Sequence, residues 1–380
     1  LRSRSDCRSV AFGLACTTAK RPAPSSARWR PRRSQRRATH RICACCRTPS
    51  PPSSPPPADA AALSEILALL PRFSEHAQRL LNEGLRVRVF DNLDPFYDPA
   101  IKHRNLELLS EQGGDRFSFL EGDLRDSGAC RRAVDGADAV VHLAALAGVR
   151  PSLSDPARYM DVNVRGTQLL LNEISDPSVR FVFGSSSSVY GGNKQVPFGE
   201  DQIVDRPVSP YAASKKAGEV LCYTWHHLNG NAVTCLRFFT VYGPRQRPEM
   251  AIHKFARLIS NGESIPFFGD GESRRDYTYV DDIVSGLRAS MDRDEGYEIF
   301  NLGGAATTSL AELVQHLERA LERPAELERL PDQPGDVPVT YADVRRAERE
   351  LGYRSETPLA EGVQKFCRWY LEEKLAARLL

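Results

Sequence analysis

The chain has 380 residues, of which 41% are hydrophobic, 26% charged and 8% aromatic. This length allows two or three domains with sizeable cores, and the composition excludes collagen-like, wholly disordered and disulfide-scaffold proteins. The sequence contains no uninterrupted apolar stretch of roughly 18 residues, so we expect no membrane-spanning helix.

The net charge of +2 averages two unlike parts of the chain. Residues 1–57 contain twelve Arg, one Lys and the single acid Asp6, which gives this segment +12 and leaves −10 for the remainder. A remainder this acidic disfavours nucleic acid as a ligand. Four cysteines of the remainder, at positions 130, 222, 235 and 367, stand among apolar neighbours. They are expected to be buried thiols of a reducing compartment. Because no membrane-spanning segment is predicted, we expect a cytoplasmic location, with a plastid or mitochondrial one as the alternative.

Residues 1–57 show no hydrophobic period and end in a run rich in Pro and Ser. We expect this segment to be disordered, because it cannot bury enough apolar surface to offset the entropy of ordering. Its composition fits a transit peptide or a nucleic-acid-binding arm. A zinc site formed by Cys43, Cys45 and Cys46 is a further interpretation, but these cysteines are closer together than the usual CxxC pairs. The remaining interpretation is that residues 1 to about 72 replace the genuine N-terminus through truncation, mis-splicing or a frame error. Elsewhere we expect no metal site.

From about residue 58 the sequence alternates short β-rich runs with helical patterns. The alternation predicts an α/β fold with a doubly wound parallel sheet. The predicted strands cover residues 85–90, 116–120, 139–143, 180–183, 233–238 and 297–300. The predicted helices include residues 74–82, 162–174 and 209–228.

The predicted elements also suggest how the chain is divided. We expect a sheet domain over residues 58–240 and a smaller substrate-binding domain over residues 241–380, with a strand near 297–302 returning to the sheet. Residues 61–70 have the pattern of a helix, so the usual first strand at the centre of such a sheet is predicted to be missing or replaced.

Several predicted strands end in residues that suit a ligand. Asp91, Asp123, the pair Ala144-Ala145 and the pair Ser185-Ser186 each follow one of these strands. Ligands of open parallel sheets bind outside the carboxyl ends of the strands, so these residues mark the expected binding edge.

The segment Ser209-Pro210-Tyr211-Ala212-Ala213-Ser214-Lys215 predicts a base. Pro210 suits a helix start and places Tyr211 and Lys215 four residues apart on one helical face. A tyrosine with a pKa near about 10 is a poor base, but a nearby ammonium favours the phenolate and lowers that pKa. Such a phenolate takes a proton from an alcohol or sugar hydroxyl. The alternative is an exposed helix with an unremarkable Tyr and Lys.

The serine run Ser185–Ser188 follows a predicted strand and strengthens this interpretation. A serine at the end of that strand is placed to hydrogen-bond the reacting hydroxyl and to share its proton with Tyr211. Elsewhere such a run is only a polar loop, but the downstream Tyr211 and Lys215 favour the catalytic interpretation.

These motifs, with others in the same order, resemble a known family over residues 74 to about 366. The further motifs are Gly122-Asp123-Leu124, His142-Leu143-Ala144-Ala145, Asn163-Val164-Arg165-Gly166-Thr167, Arg237-Phe238-Phe239-Thr240-Val241-Tyr242-Gly243-Pro244 and Arg275-Asp276-Tyr277-Thr278-Tyr279-Val280-Asp281-Asp282. The chain is similar to the extended short-chain dehydrogenase/reductase family, in its nucleotide-sugar epimerase branch. The resemblance implies a Rossmann-like fold and a homodimer paired through two long helices.

Within that branch, the segments 97–100, 147–150, 244–250 and 333–338 resemble enzymes that act on UDP-glucuronate. The resemblance implies bound NAD, oxidation at C4 to a 4-keto intermediate, and return of the hydride to the other face, giving UDP-galacturonate. Tyr211 would be the base, Ser186 its hydrogen-bond partner, and Lys215 a ligand of the nicotinamide ribose. The cofactor-binding residues that it implies are Asp91, Asp123, Leu124, Leu143, Ala144, Ala145, Asn163, Tyr211 and Lys215.

The resemblance also implies residues for the substrate. Thr240 and the serine hydroxyls, including that of Ser187, would hold the uronate carboxylate, with Arg247 supporting its loop. Arg275 would pair with the diphosphate, a bidentate task suited to a guanidinium. Dehydratases and decarboxylases of this family carry acids where this chain has Ser187 and Ser188, so the resemblance favours epimerisation.

The sequence departs from the family at its first motif. A Rossmann-like sheet opens with a glycine-rich turn whose glycines admit the pyrophosphate at a helix N-terminus. Counted back from the helix at 74–82, the three glycine positions fall on Leu67, Leu70 and Phe73. Side chains there would crowd the diphosphate. The missing glycines favour the alternative of a non-catalytic relative that binds a nucleotide sugar or a partner without turnover.

Overall fold

The computed structural model describes residues 64–67, 74–331 and 337–379, all of which fall in the unit Asp59–Leu380. The predicted disordered segment 1–57 lies outside the described residues, and so do the glycine positions counted at Leu70 and Phe73.

Seven parallel strands form the central sheet, in the order β11-β6-β5-β4-β1-β2-β3. The strands are β1 (Ser64–Leu67), β2 (Arg86–Asp91), β3 (Phe117–Glu121), β4 (Ala139–His142), β5 (Arg180–Ser186), β6 (Val233–Phe238) and β11 (Tyr297–Leu302). All six predicted strands are confirmed, with bounds that differ by at most three residues. The predicted α/β class with a doubly wound parallel sheet is therefore confirmed.

Residues Ser64–Leu67 correct the prediction that the central strand is missing. They form β1, which pairs in parallel with β2 on one side and β4 on the other, so that Ile66 lies opposite both Arg88 and Val140. Without β1, the facing backbone groups of β2 and β4 would lack partners in the middle of the sheet. Pairing with both neighbours outweighs the local helical pattern, so the helix predicted over residues 61–70 is wrong at these four residues.

Helices cover both faces of the sheet. The first nine are α1 (Ser74–Asn82), α2 (Pro99–Gly113), α3 (Ser127–Val134), α4 (Val149–Ser154), α5 (Pro156–Met160), α6 (Gly166–Asn172), α7 (Pro210–Asn229), α8 (Ala251–Asn261) and α9 (Val280–Ser290). The predicted helix over 162–174 opens instead with a π-helical turn over Asp161–Arg165 and continues as α6.

Side chains that alternate along the strands build a separate core on each face of the sheet. Val141 and Val182 pack with Leu80 of α1 in one core, whereas Val140 and Phe181 pack in the other. The alternation follows from the two-residue period of a strand, and it explains why these buried strands are continuous apolar runs.

The later part of the chain adds short strand pairs and three further helices. The short strands are β7 (Thr240–Tyr242), β8 (Ile265–Phe268), β9 (Arg274–Arg275), β10 (Tyr277–Tyr279), β12 (Thr308–Ser309) and β13 (Leu327–Leu330), and the helices are α10 (Leu310–Leu321), α11 (Arg345–Leu351) and α12 (Leu359–Leu379). Among the described helices, none combines the length and the apolar content that crossing a bilayer requires.

Candidate active site

Two cavities lie along the carboxyl edge of the sheet and hold most of the predicted site residues. The first, here called the edge cavity, follows the ends of β2, β3 and β4 and is lined by Asp91, Asp123, Leu124, Ala144 and Ala145 among others. The second, the serine cavity, has a volume of about 210 Å³ and lies at the ends of β5 and β6. Its walls include the predicted residues Leu143, Ala145, Ser186, Ser187, Tyr211, Lys215, Thr240 and Arg247. Because Ala145, Ala147 and Arg247 line both cavities, the two are adjacent.

Helix α7 carries Tyr211 and Lys215 into the serine cavity. Ser209 caps the helix by accepting a hydrogen bond from Ala212 N at 3.1 Å, and Pro210 occupies the first turn. Gly218 faces β5 so closely that a Cβ there would lie 2.2 Å from Phe183 Cζ. The missing side chain therefore lets α7 approach the strand that ends in the serine run.

Lys215 is buried beside that strand, with 4% of its surface exposed. Its Nζ donates a hydrogen bond to Gly184 O at 2.7 Å and lies 5.1 Å from the centre of the Phe183 ring. Burial lowers the pKa of Lys215 to about 8, because the ammonium has lost most of its hydration. The cation is thus held in a low-dielectric site, where its field on a neighbouring phenol is strong.

Ser186 ends β5 with its side chain at the cavity. Its Oγ accepts a hydrogen bond from Ser188 N at 3.2 Å and donates to Ser188 Oγ at 3.1 Å, which starts a short 3-10 turn over Ser187–Tyr190. The turn fixes the direction in which the chain leaves the strand, so the hydroxyls of the serine run stay grouped at the cavity.

A buried carboxylate, Glu219, joins α7 to both adjacent strands, and the sequence analysis missed it. Glu219 accepts hydrogen bonds from Ser185 Oγ at 2.7 Å, from Arg237 Nε and Nη2 at 2.8 and 3.0 Å, and from Lys216 Nζ at 3.1 Å. Burial raises the pKa of Glu219, but the bonds and charge of Arg237 outweigh it and hold that pKa below its usual value. The signal was available, since Glu219 follows Tyr211 and Lys215 at spacings of eight and four on one face of α7.

Tyr211 packs against a second tyrosine, Tyr159 of α5. Their rings meet edge to face with centroids 6.3 Å apart, and Tyr159 Oη donates a hydrogen bond to Ala147 O at 2.9 Å. Burial raises the pKa of Tyr159 to about 12, so this phenol remains a donor at neutral pH. Tyr159 therefore holds the cavity wall at Ala147 and supports the ring of Tyr211.

The edge cavity contains an ion pair that has no local signal in the sequence. Lys102 Nζ lies 2.9 Å from Asp91 Oδ1, and both side chains are at least nine-tenths buried. Burial raises the pKa of Asp91, and Lys102 opposes that rise. The side chain of Tyr97 also lines this cavity, while its Oη is buried and has no hydrogen-bond partner among the described residues.

Asp123 and Leu124 line the same cavity from the end of β3. Asp123 accepts two hydrogen bonds from the Arg125 side chain, at 2.7 and 2.9 Å, and one from Asn92 Nδ2 at 3.0 Å. These bonds hold the pKa of Asp123 well below its usual value. Leu124 is buried next to it and contributes apolar wall.

Two predicted residues lie outside both cavities. Asn163 is buried behind the wall, where its amide exchanges hydrogen bonds with Leu146 N and O at 2.8 and 2.9 Å and donates to Ser214 at 2.9 Å. It braces the strand-end loop from behind. Arg275 lines a neighbouring cavity that shares Thr240 and Met250 with the serine cavity.

Arg247 lies on the wall that the edge cavity and the serine cavity share. Its side chain is 4% exposed, its Cζ lies 5.7 Å from the Phe96 ring centre, and its Nε lies 3.1 Å from Glu249 Oε1. A buried cation on this wall suits an anionic group of a bound molecule.

Comparisons with known proteins agree with this arrangement. The sequence profile described as "NAD dependent epimerase/dehydratase family" matches residues 74–303. The chain is 41% identical over 297 residues to a UDP-glucuronate 4-epimerase of Thermodesulfobacterium geofontis, which covers 77% of this chain and 91% of that protein. It is 41% identical over 326 residues to UDP-glucuronate 4-epimerase 4 of Arabidopsis thaliana, covering 79% of this chain and 74% of that one.

A solved structure gives the same answer for the fold. The UDP-glucuronic acid 4-epimerase of Bacillus cereus, crystallised with UDP-glucuronic acid and NAD, superposes with a TM-score of 0.76 at 31% identity. The match covers 82% of this chain and all of that one.

Proposed function

We infer, because the chain belongs to the NAD dependent epimerase/dehydratase family, that it is an NAD-dependent epimerase that inverts C4 of UDP-glucuronate to give UDP-galacturonate. The observation that carries the proposal is the convergence of Ser186, Tyr211 and Lys215 on one cavity wall. Proton transfer to and from a sugar hydroxyl requires these three side chains to lie together, whereas no single sequence motif requires it.

The described residues of the edge cavity fit the dinucleotide. Asp91 ends β2 at this wall, where a carboxylate accepts ribose hydroxyls, and the side chain of Tyr97 lines the same space. Residues Asp91, Asp123, Leu124, Leu143, Ala144 and Ala145 would hold NAD, with Asn163 bracing the loop behind them. When bound, the nicotinamide supplies the hydride exchange at C4.

Tyr211 and its neighbours would move the proton. The Tyr211 phenolate takes the proton of the C4 hydroxyl as that carbon becomes a ketone, and Ser186 Oγ hydrogen-bonds the same oxygen. The buried Lys215 ammonium stabilises the phenolate. Glu219 holds α7 against the serine run, so the separation of Tyr211 and Ser186 stays the same through the reaction cycle. The proton returns by the same route once the 4-keto sugar has rotated to present its other face.

The uronate would be recognised by Arg247, Thr240 and Ser187, which line the serine cavity together. A guanidinium and two hydroxyls complement a carboxylate at C6 better than the neutral hydroxymethyl group of glucose. Arg275, on the adjoining cavity, would bind the diphosphate.

The test is conversion of UDP-glucuronate by the purified full chain, followed by chromatography of the product. Replacing Tyr211→Phe removes the base and should lower kcat by about 100- to 10,000-fold. The matched control is Tyr223→Phe on the same helix, which should keep wild-type activity because Tyr223 lines neither cavity and Phe keeps its apolar ring.

A second measurement separates this proposal from the non-catalytic alternative. Denatured protein should release NAD in a ratio near one per chain, detected by absorbance and fluorescence. Absence of both NAD and product would favour a relative that binds a nucleotide sugar without turnover. Conversion of UDP-glucose at the same kcat/KM as UDP-glucuronate would contradict the role given to Arg247.

The assembly proposed for this enzyme is a homodimer formed by α7 and the helices beside it. Val220 and Tyr223 on α7 are 53% and 54% exposed, and Leu153 of α4 and Met160 of α5 add 51% and 38%. Because α4 and α5 pack beside α7, these side chains support one apolar face that a second copy would cover.

We propose a cytoplasmic location because the described cysteines are free thiols. Cys130, Cys222, Cys235 and Cys367 are all buried and unpaired in the described part of the chain. Free thiols without disulfides are typical of a reducing compartment, and microscopy of the tagged full chain tests this assignment.

A further inference from the structure

Asp276 is a buried carboxylate that no step of the proposed function uses. It lies between β9 and β10, directly after Arg275, and is 0% exposed. Burial raises the pKa of Asp276 to about 6, while hydrogen bonds from backbone N–H groups oppose that rise. The side chain is therefore an anion at neutral pH, and a buried anion requires donors around it.

Two separate segments of the chain supply backbone donors to this carboxylate. Its Oδ1 accepts hydrogen bonds from Gly304 N at 2.6 Å and from Thr278 Oγ1 at 3.2 Å, and its Oδ2 accepts one from Ala342 N at 3.0 Å. Gly304 belongs to the loop after β11, whereas Ala342 belongs to the segment that leads to α11. Since hydrogen bonds to an ionised acceptor are strong, Asp276 fastens both segments to the junction of β9 and β10.

The loop after β11 approaches the carboxylate closely because it lacks side chains there. A Cβ on Gly303 would lie 2.4 Å from Ala342 Cβ, and a Cβ on Gly304 would lie 2.8 Å from Tyr277 O. Either contact is too short for real atoms, so any other residue at these positions would push the loop away. The two glycines thus allow Gly304 N to reach Asp276.

The backbone of Asp276 also holds the strand that carries Thr240. Thr240 N donates a hydrogen bond to Asp276 O at 3.0 Å, where β7 and β10 pair in parallel. Thr240 and Arg275 line one cavity, with a volume of about 280 Å³. Asp276 therefore connects two residues that face the same space from different strands.

The segment that Asp276 holds also contacts Arg275. This segment runs beside β9, where Arg274 N donates to Pro338 O at 2.8 Å and Thr340 N donates to Arg274 O at 3.1 Å. Asp276 N donates to Thr340 Oγ1 at 3.2 Å, and Arg275 Nη1 donates to Pro338 O at 3.4 Å. The position of the Arg275 guanidinium thus depends on where Asp276 fastens this segment.

We propose that Asp276 is a positioning residue that fixes the distance between Thr240 and Arg275, and hence between the two anionic ends of the bound substrate. The inference rests on the proposed function, in which Thr240 binds the uronate carboxylate and Arg275 binds the diphosphate. A ligand with both groups gains its full affinity only when both residues are already held at the matching distance. A ligand that carries the diphosphate alone is free to follow Arg275.

The test compares UDP-glucuronate with UDP-glucose, which differ only in the carboxylate at C6. Calorimetry is carried out on the NAD-loaded full chain with Tyr211→Phe, which lacks the proposed base and leaves the ligands unconverted. Adding Asp276→Asn keeps the volume but places an amide N–H group against Gly304 N or Ala342 N. We expect the Kd for UDP-glucuronate to rise about tenfold and the Kd for UDP-glucose to rise less than about threefold.

Kinetics with Tyr211 intact give a second measurement. In Asp276→Asn alone, the KM for UDP-glucuronate should rise about tenfold while kcat stays within about twofold of the wild type. This split is expected because the hydrogen bonds of the Asp276 side chain reach neither α7 nor β5, which carry the proton-transfer residues. Thr340→Val is a milder variant that removes only the hydroxyl bound by Asp276 N, and it should raise KM about two- to threefold.

Asp282→Asn is the matched control for the loss of a buried carboxylate. Asp282 is 7% exposed and likewise fastens a loop, accepting hydrogen bonds from Thr357 N at 3.1 Å and from Ser355 Oγ at 3.3 Å. It lines neither the edge cavity, the serine cavity nor the cavity of Arg275. Urea denaturation should show lower stability in both variants, whereas only Asp276→Asn should change Kd and KM.

Three results would overturn the proposal: an unchanged Kd for UDP-glucuronate in folded Asp276→Asn, an equal rise of Kd for both ligands, or the same rise of KM in Asp282→Asn. If Asp276→Asn does not fold, Thr340→Val decides by the same criteria. A wild-type chain that binds UDP-glucuronate without converting it would contradict the proposed function, but the two Kd values would still decide the role of Asp276.

Discussion

At the scale of single residues, Lys215 ties activity to pH. An exposed lysine keeps its proton to about pH 10, but burial lowers the pKa of Lys215 to about 8. The ammonium that stabilises the Tyr211 phenolate is therefore lost as the pH rises through about 8, and kcat should decline there with the loss of one proton. In Lys215→Arg the cation persists, so a lower kcat without this alkaline decline is expected from a pH series. Lys194→Arg, on a surface loop, should keep the wild-type profile, and an identical decline in Lys215→Arg would assign the titration to another group.

The residues that could be predicted are those with a local pattern. Tyr211 and Lys215 could be predicted from their spacing on a helix, and Ser186 could be predicted from its position at the end of a strand. Lys102 has no such signal, because its ion pair with Asp91 depends on how α2 packs against α1 and β3. Asn163 was found by its motif, yet its amide holds backbone behind the wall rather than lining the cavity. A motif identifies a residue that matters, and packing decides what it touches.

At the scale of elements, the contact between α7 and β5 depends on Gly218. A Cβ there would lie 2.2 Å from Phe183 Cζ, and Phe183 is itself 1% exposed in a filled core. Gly218→Ala should therefore lower the free energy of unfolding by about 1–3 kcal/mol and move Tyr211 away from the serine run. Urea denaturation and kcat measure both effects. Gly192→Ala is the matched control, since its added Cβ meets nothing closer than 3.9 Å and both quantities should be unchanged.

Strands were predictable where continuous apolar runs mark strands buried on both faces, as at Ala139–Val141 of β4 and Phe181–Phe183 of β5. Strand β1 was not predictable, because only four residues pair and their sequence carries a helical pattern. Its strand conformation is dictated by β2 and β4, which offer hydrogen-bonding edges on either side. The short strand pairs of the later part are likewise products of tertiary pairing rather than of local sequence.

At the scale of the whole molecule, the proposed homodimer depends on the apolar face around α7. Val220→Glu places a charge at the centre of the proposed interface, where desolvation of an unpaired carboxylate is costly, and should convert the dimer to a monomer in sedimentation velocity. Leu327→Glu is the matched control, because Leu327 is similarly exposed, at 41%, but lies on β13. A Val220→Glu protein that sediments as the wild type does would place the interface elsewhere.

The seventh strand has a consequence for how the chain is made. Tyr297–Leu302 pairs with Val233–Phe238 along its whole length, although almost sixty residues separate the two strands. During translation, β6 is synthesised before β11. Until β11 emerges, one row of backbone hydrogen-bonding groups on β6 is exposed to other chains. The nascent domain is thus most prone to aggregate in that interval, and a translational pause placed after β11, rather than after β6, would favour its correct maturation.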